Sequence, residues 1–335
     1  MLLYALRLCT SAFSSGEDAR LFFHTQLRRH HSLIAMLWLA SAFGCASPSD
    51  QRSTQIARAS LDAAPADTDD FGAPLPTNAD FSARVVSLNP TATEVIYAIG
   101  AEQHLVGRSK WDEFPVQVKS VTSLGDGIRP NIEAVLGAKP TLVILYATAE
   151  NRPAATALRA AGVRTIALRV DHIAQFIALT QRLGIVLGAT SRATQVVDSV
   201  QASLERVRVA TQGLAAPTVV WPLWQSPVMV VGRGSYLDEI MEIAGARNAF
   251  HELAAPSPTV SIEEIAKRDP DFVIVSAKTA ARLKDIPAWR AVRAVRDGHL
   301  IIDDPALSGR PSVVLGMAAN ALAQALHPAR ARGHP

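Results

Sequence analysis

Cysteine is nearly missing from this 335-residue chain: Cys9 and Cys45 are the only two, and neither lies beyond residue 45. The remainder therefore holds no disulfide, no thiolate zinc knuckle and no cysteine nucleophile. An excess of charge of one sign is missing too. Residues 1–45 carry four arginines against Glu17 and Asp18, so from position 46 onward 29 of the chain's 33 basic residues face 28 of its 30 acidic ones. That balance builds no electrostatic footprint for a polyanion, and nucleic acid is not expected as a partner. Enzyme signatures are also absent. There is no G-x-x-x-x-G-K-[ST] phosphate loop, no G-x-S-x-G elbow and no H-E-x-x-H, and Gly232-Arg233-Gly234 lacks the third glycine of a dinucleotide fingerprint. A metal-dependent α/β enzyme stays open only because fold alone never fixes function.

Hydrophobic residues make up 49% of the chain and charged ones 19%, a globular balance, and the length gives room for about two domains. Near the N-terminus a thirteen-residue, mostly apolar stretch, Ser32 to Gly44, follows the basic cluster Arg28-Arg29-His30-His31. It is too short to span a bilayer, which takes about 20 residues, and it resembles the apolar core of a bacterial export signal. Gly44-Cys45 then looks like a lipoprotein cleavage site with Cys45 the lipidated residue, while Ala40-Ser41-Ala42 is an alternative site that releases a soluble protein. Residues 1–27 fit no signal pattern, and a start nearer Arg28 gives a conventional signal length. Residues 1–45 are thus read as a signal segment. Residues 46–83, rich in Ser, Ala, Asp, Pro and Thr without apolar periodicity, are read as a flexible tether.

From Arg84 onward short β-rich runs alternate with helical patterns, which predicts parallel sheets with helical crossovers. The runs lack strict alternation, as strands buried on both faces do. One pattern occurs twice. Asn131-Ile132-Glu133-Ala134-Val135, a short helix, Pro140 and Leu142-Val143-Ile144-Leu145 match Ser261-Ile262-Glu263-Glu264-Ile265, a short helix, Pro270 and Phe272-Val273-Ile274-Val275 at the same spacing. Ahead of each, Glu94-Val95-Ile96 ends at Gly100-Ala101 and Glu239-Ile240-Met241 at Gly245-Ala246, with the glycine six residues after the Glu as C-terminal punctuation. The expected fold class is α/β: two Rossmann-like lobes of parallel sheet, 84–170 and 217–327, joined by a helical connector at 171–216, with a tail at 328–335. Within the connector, Gly184, Gly188 and Ala189-Thr190-Ser191 predict a break, then a long backbone helix from near Ser191 towards Gln212.

The opening Val85-Val86-Ser87-Leu88-Asn89-Pro90-Thr91-Ala92-Thr93-Glu94, then Leu105-Val106-Gly107-Arg108 and the paired glutamate segments resemble the helical-backbone class (class III) of periplasmic substrate-binding proteins. That class captures cobalamin, haem, siderophore-iron and related chelates for ABC importers. The likeness covers residues 84–327 and looks closest to the cobalamin-binding members. It implies a ligand cleft between two lobes held on a rigid helix, with little hinge closure. It implies a monomer outside the cytoplasmic membrane, lipid-anchored, whose partners are an ABC permease dimer and its ATPase subunits. It also implies that Glu133 and Glu263, at the matching motif positions, dock into arginine pockets on the two permease subunits. Two carboxylates far apart on a rigid body align a symmetric partner. Acids in a helix's first turn also favour the helix dipole, and Ser261 with Glu264 has capping-box spacing, which Glu133 and Glu263 do not.

A large planar ligand needs apolar walls with few fixed polar groups. Aromatics are only 6% of the chain, so Trp111, Tyr146, Trp221 and Trp224 near strand ends are the expected stacking surface, with only one of Trp221 and Trp224 facing the ligand. Trp111 lies where the cobalamin-binding members resembled here carry a cleft aromatic. Asn89-Pro90-Thr91 and Ser226-Pro227 are expected as loops after the first strands, the usual ligand position in open α/β sheets. Cobalamin is the favoured ligand, with no intrinsic cofactor and no resident metal. Haem would take an axial Tyr or His, for which Tyr146, His172 and His251 are available. A ferric siderophore would take arginines such as Arg129, Arg233 and Arg310.

Overall fold

The structure, a computed structural model, describes residues 68–328. The expected signal segment, Cys45 and the tether up to residue 67 lie outside the described residues. Among those described, no helix is long and apolar enough to cross a membrane.

The first lobe runs β1 (Val85–Ser87), α1 (Pro90–Ala98), β2 (Leu105–Arg108), α2 (Ile132–Gly137), β3 (Leu142–Tyr146), α3 (Arg152–Ala160) and β4 (Arg164–Leu168). Two connector helices follow, α4 (Ile173–Val186) and α5 (Thr190–Thr211). The second lobe begins with β5 (Thr218–Val220), the antiparallel hairpin β6 (Pro222–Gln225) and β7 (Val228–Val230), α6 (Tyr236–Ile243), β8 (Arg247–Asn248) and α7 (Ile262–Arg268). It continues through β9 (Phe272–Ser276), α8 (Ala277–Leu283), α9 (Arg293–Arg296), β10 (Leu300–Asp303), α10 (Pro305–Ser308) and α11 (Leu315–Leu326). Each lobe holds a four-stranded parallel sheet, ordered β2-β1-β3-β4 and, in the same sense, β8-β5-β9-β10.

The sequence repeat is therefore a repeat of topology, and it extends to backbone detail. Gly100 and Gly245 both adopt positive φ, 69° and 77°, where a side chain would be strained. Behind each, the same bond closes the helix: Ala101 N–H to Ile96 O and Ala246 N–H to Met241 O, both 2.9 Å. Lys139 and Asp269, one residue before Pro140 and Pro270, are both left-handed as well.

Strand side chains divide between two faces. In the first lobe Val85, Leu142 and Ile144 point to one core, and Val86, Val143 and Leu145 to another. Val219 and Ile274 against Val220, Val273 and Val275 repeat this in the second lobe. The inner core is shared by both lobes. It passes through α5, whose Ala193, Val197, Val200, Leu204 and Val207 recur at helical spacing on one buried face. Gly184 beside Ala193 lets α4 approach α5 closely, and Gly316 beside Ser203 does the same for α11. One apolar core, rather than a flexible strand pair, thus joins the lobes.

The composition of residues 68–83 reads as tether, yet this stretch is folded onto the first lobe. Asp69, 4% exposed, accepts from the amides of Phe71, Ala73 and Ala167 and from Arg159 at 2.6 Å. Asp70 N–H donates to Ala167 O at 3.0 Å along the open edge of β4, Asp80 pairs with Arg164, and Phe81 lies against Gly188. Ordered structure therefore starts by Thr68 rather than at Arg84. The strap is held by aspartates and backbone groups, which need no apolar periodicity.

Candidate functional site

All strands of a parallel sheet end on the same side, so the loops that follow them collect at one rim of each lobe. The two rims meet. Thr91 Oγ1 donates to Pro311 O at 3.0 Å, and Tyr236 N–H to Asp171 O at 2.5 Å. Arg310 reaches the Glu94 carboxylate through Nε at 2.8 Å and Nη2 at 2.5 Å. On the connector side Glu239 accepts from the Ile173 amide at 3.1 Å and pairs with His172 Nδ1 at 2.6 Å. Glu94 and Glu239 are the two repeat-related glutamates, and each crosses the seam to a basic group of the other half.

The first-lobe wall is the loop after β2. Arg108 gathers it by donating to Val121 O and Ser109 O, both at 3.0 Å. Asp112, 2% exposed, folds inward to the Ser109 amide at 2.8 Å and to the Ser109 hydroxyl. Burial holds its carboxyl above the usual carboxylate range, against the hydrogen bonds from Ser109. This turn pushes the neighbouring rings outward: Trp111 and Phe114 are each 40% exposed. Trp111 Nε1 donates to Asp126 Oδ1 at 3.3 Å, and Lys110 lies over the indole while pairing with Asp126. Asn151, fully buried, donates to Gly127 O and Tyr146 O and accepts from Arg129 N–H, which ties the far end of the loop to β3.

Tyr146 closes β3 half-buried, with its hydroxyl donating to Asp171 at 2.5 Å. Burial first, and the Asp171 charge second, push this phenol far above its ordinary range. Facing it, Tyr236 is buried at the start of α6 and donates to Ser308 O; burial pushes its phenol up as well. On the second-lobe wall Trp224, 38% exposed on the β6–β7 hairpin, donates to Ser226 O at 2.8 Å.

The structure brings Tyr146 and Arg310 to the seam, through Asp171 and Glu94, and leaves Trp111 and Trp224 exposed on the loop after β2 and on the hairpin. Trp221 is a correction: it is 6% exposed and packs in the shared core just past the end of β5, while Trp224, three residues on and so on the opposite face, takes the outward place. Asn89, Pro90 and Thr91 are buried too. Asn89 caps α1 through the Thr91 and Ala92 amides and Thr91 ties the seam, so this loop supports the cleft from below instead of presenting groups to a ligand. Arg310 is spent on Glu94, with its guanidinium 4.8 Å from the Phe114 ring. Arg129 and Arg233 are exposed. The glycines beside Arg233 serve close backbone contact, since a Cβ at Gly232 or Gly234 would meet carbonyls of residues 253–255. Sequence reasoning missed Phe114, Asp171 and Tyr236, and saw Glu94 and Glu239 only as repeat markers.

Away from the seam, Glu133 and Glu263 are the second residues of α2 and α7, in the first turn of each, and both are exposed. The caps are Asn131, accepting from Ala134 N–H, and Ser261, accepting from Glu264 N–H, each at 3.1 Å. Glu264 pairs with Arg268, whereas Glu263 is held below its usual range by its own backbone amide and by Ser261.

A family model described as periplasmic binding protein matches residues 85–307. The chain is similar to an uncharacterized ABC transporter substrate-binding lipoprotein, YvrC, of Bacillus subtilis, with 24% identity over 90% of this chain and 98% of the relative. It is similar to a vitamin B12-binding protein of Salmonella paratyphi A, 24% identical over 62% of this chain and 77% of that one. Among solved structures it is similar to the periplasmic heme-binding protein RhuT of Roseiflexus sp. RS-1 in apo form, with a TM-score of 0.67, 25% identity, and coverage of 74% of this chain and 99% of that one. These are transport receptors and not enzymes. With two repeat-related lobes, one shared core and a rim-to-rim cleft, the chain belongs to the periplasmic binding protein family of ABC transporters.

Proposed function

We propose that this protein captures a corrinoid, cobalamin by preference, and delivers it to an ABC permease dimer from a lipid anchor at Cys45. The observation that carries the ligand choice is the state of the groups haem would need. An iron-bound tyrosine is a phenolate, which a cationic or donating neighbour favours. Tyr146 has chiefly the opposite neighbour, a carboxylate that accepts its proton's hydrogen bond at 2.5 Å, and the Arg169 charge, which acts the other way, is outweighed. His172 and His251 each engage a carboxylate through Nδ1, Glu239 at 2.6 Å and Asp238 at 2.9 Å, which leaves Nε2 of each able to bind a metal, so the choice rests on Tyr146 and not on the histidines. Cobalamin asks for no ligand from the protein when its cobalt is already coordinated. What it asks for is apolar area, and the exposed Trp111 and Phe114 supply it.

The matched exposure and turn position of Glu133 and Glu263 support their role as the two permease contacts. Titration of the purified protein with cobalamin and with haem, followed by visible spectra, tests the ligand. Cobalamin bound one per monomer is the expected result. A haem charge-transfer band that disappears in Tyr146→Phe would overturn the choice. For docking, Glu133→Ala/Glu263→Ala should impair uptake at unchanged ligand affinity, and full uptake by this variant would sink it. For the anchor, mass spectrometry of the cellular protein should find a lipidated Cys45, against an unmodified N-terminus at Phe43.

A further inference from the structure

We infer that Glu94 is a specificity-determining residue: by cancelling Arg310 it denies the cleft an anion-binding group, so the site selects amide-bearing macrocycles over carboxylate-bearing ones. The inference deepens the corrinoid reading and rests on it. Arg310 is a guanidinium placed at the seam, as is Arg169, which pairs with Asp171 at 3.6 Å, and a guanidinium left unpaired there would bind an acid. Here both its Nε and its Nη2 are directed at Glu94 Oε2, at 2.8 and 2.5 Å, and Glu94 is 7% exposed. The Phe114 ring lies against the guanidinium at 4.8 Å. The charge is thus neutralised from the first lobe and shielded by a ring of the same lobe.

The other polar groups along this rim do not restore an anion site. Asp126 receives the Trp111 indole N–H, Asp171 receives the Tyr146 hydroxyl, and Lys110 is paired with Asp126. Asp303 ends β10 beside Tyr236, half-buried, its carboxyl raised by burial. A ligand edge entering here meets carboxylate and carbonyl oxygens, which accept hydrogen bonds. Side-chain amides can donate to them; ionised carboxylates are repelled. The corrin periphery is amidated in cobinamide and fully acidic in cobyrinic acid, so these two corrinoids differ in the property at issue.

The experiment measures both affinities by visible absorbance for the full-length wild type, Glu94→Gln, Phe114→Ala and the charge-free pair Glu94→Gln/Arg310→Gln, with melting curves to confirm folding. Wild type should prefer cobinamide. Glu94→Gln frees the guanidinium, so its ratio should shift towards cobyrinic acid by about tenfold or more, the scale of one charge-assisted hydrogen bond. The charge-free pair should return to the wild-type ratio. Phe114→Ala removes a ring of the proposed apolar wall, which weakens both corrinoids alike, and leaves the ion pair intact; its ratio should shift the same way by a smaller factor, and it carries the test if Glu94→Gln does not fold. An unchanged ratio in both single variants, or a wild type that prefers the acid, overturns the inference and leaves corrinoid binding standing. A wild type that binds neither overturns the corrinoid reading, and the inference with it.

Discussion

The two lobes share a strand order, a helix-closing glycine and a capped helix with an exposed glutamate, yet they differ wherever they face each other or the chain's N-terminal side. On the first lobe the open edge of β4 is covered by the strap from Thr68, while on the second β10 keeps Ile302 54% exposed. The cleft wall is a loop in one lobe and a hairpin in the other. The seam glutamates diverge most. Glu94 meets an arginine in a nearly buried setting, and Glu239 meets a histidine with both side chains about a third or more exposed. A duplicated fold thus keeps what builds the lobes and varies what joins them, giving one nearly buried carboxylate–arginine tie and one half-exposed carboxylate–histidine tie.

Breaking the buried tie should have the largest effect. Glu94→Ala leaves Arg310 charged and desolvated, with an expected loss of about 3–5 kcal/mol by denaturant melting. Glu239→Ala, which removes one amide acceptor and a half-exposed ion pair, should lose about 1 kcal/mol. Equal losses would erase the asymmetry. Cutting the strap comes next: Asp69→Ala orphans Arg159 and three amides beside β4, and should lose about 2–3 kcal/mol while leaving ligand affinity unchanged.

On the cleft walls, Trp111→Ala should weaken cobalamin binding by about 1–3 kcal/mol with the fold intact. Trp224→Ala, read in the same titration, shows whether the hairpin wall contributes on a comparable scale.

The smallest effect is the pH dependence of the titratable tie. The hydrogen bond that His172 donates to Glu239, together with the Glu239 charge, raises His172 above its ordinary value, so the folded state binds that proton more tightly than the unfolded chain does. The stability this contributes is fully present below about pH 6.5 and is lost as pH rises through the raised folded value. Exposure keeps it under about 1 kcal/mol. Asp171 and Asp238, which also face His172, act in the same direction. Melting curves of wild type should therefore fall between pH 6.5 and 8.5 relative to those of Glu239→Gln, and parallel curves would remove His172 from the account.

Much of this architecture was legible because it rests on local spacing. The repeat, the glycine stops and the connector break are written in neighbouring residues, and α5 begins at Thr190, one residue from the expected start. What escaped notice depends on distant partners. Arg310 read as an anion receptor because its acceptor lies 216 positions away, and Asp69 read as tether because Arg159 lies 90 away. Trp221 and Trp224 could not be told apart because which face of this stretch meets the shared core is set by distant elements.

The single core that runs through α5 also limits how a loaded receptor can announce itself. A receptor built on one shared core would offer a transporter nearly the same outline empty or full, and on the docking proposed above the span between Glu133 and Glu263 would be fixed like the gap of a gauge. Information about occupancy then has to be carried by what changes locally at the rim. The Trp111–Phe114 turn, held on its inner side by Asp112 and with both rings 40% exposed on its outer side, is the part of the surface best placed to encode it.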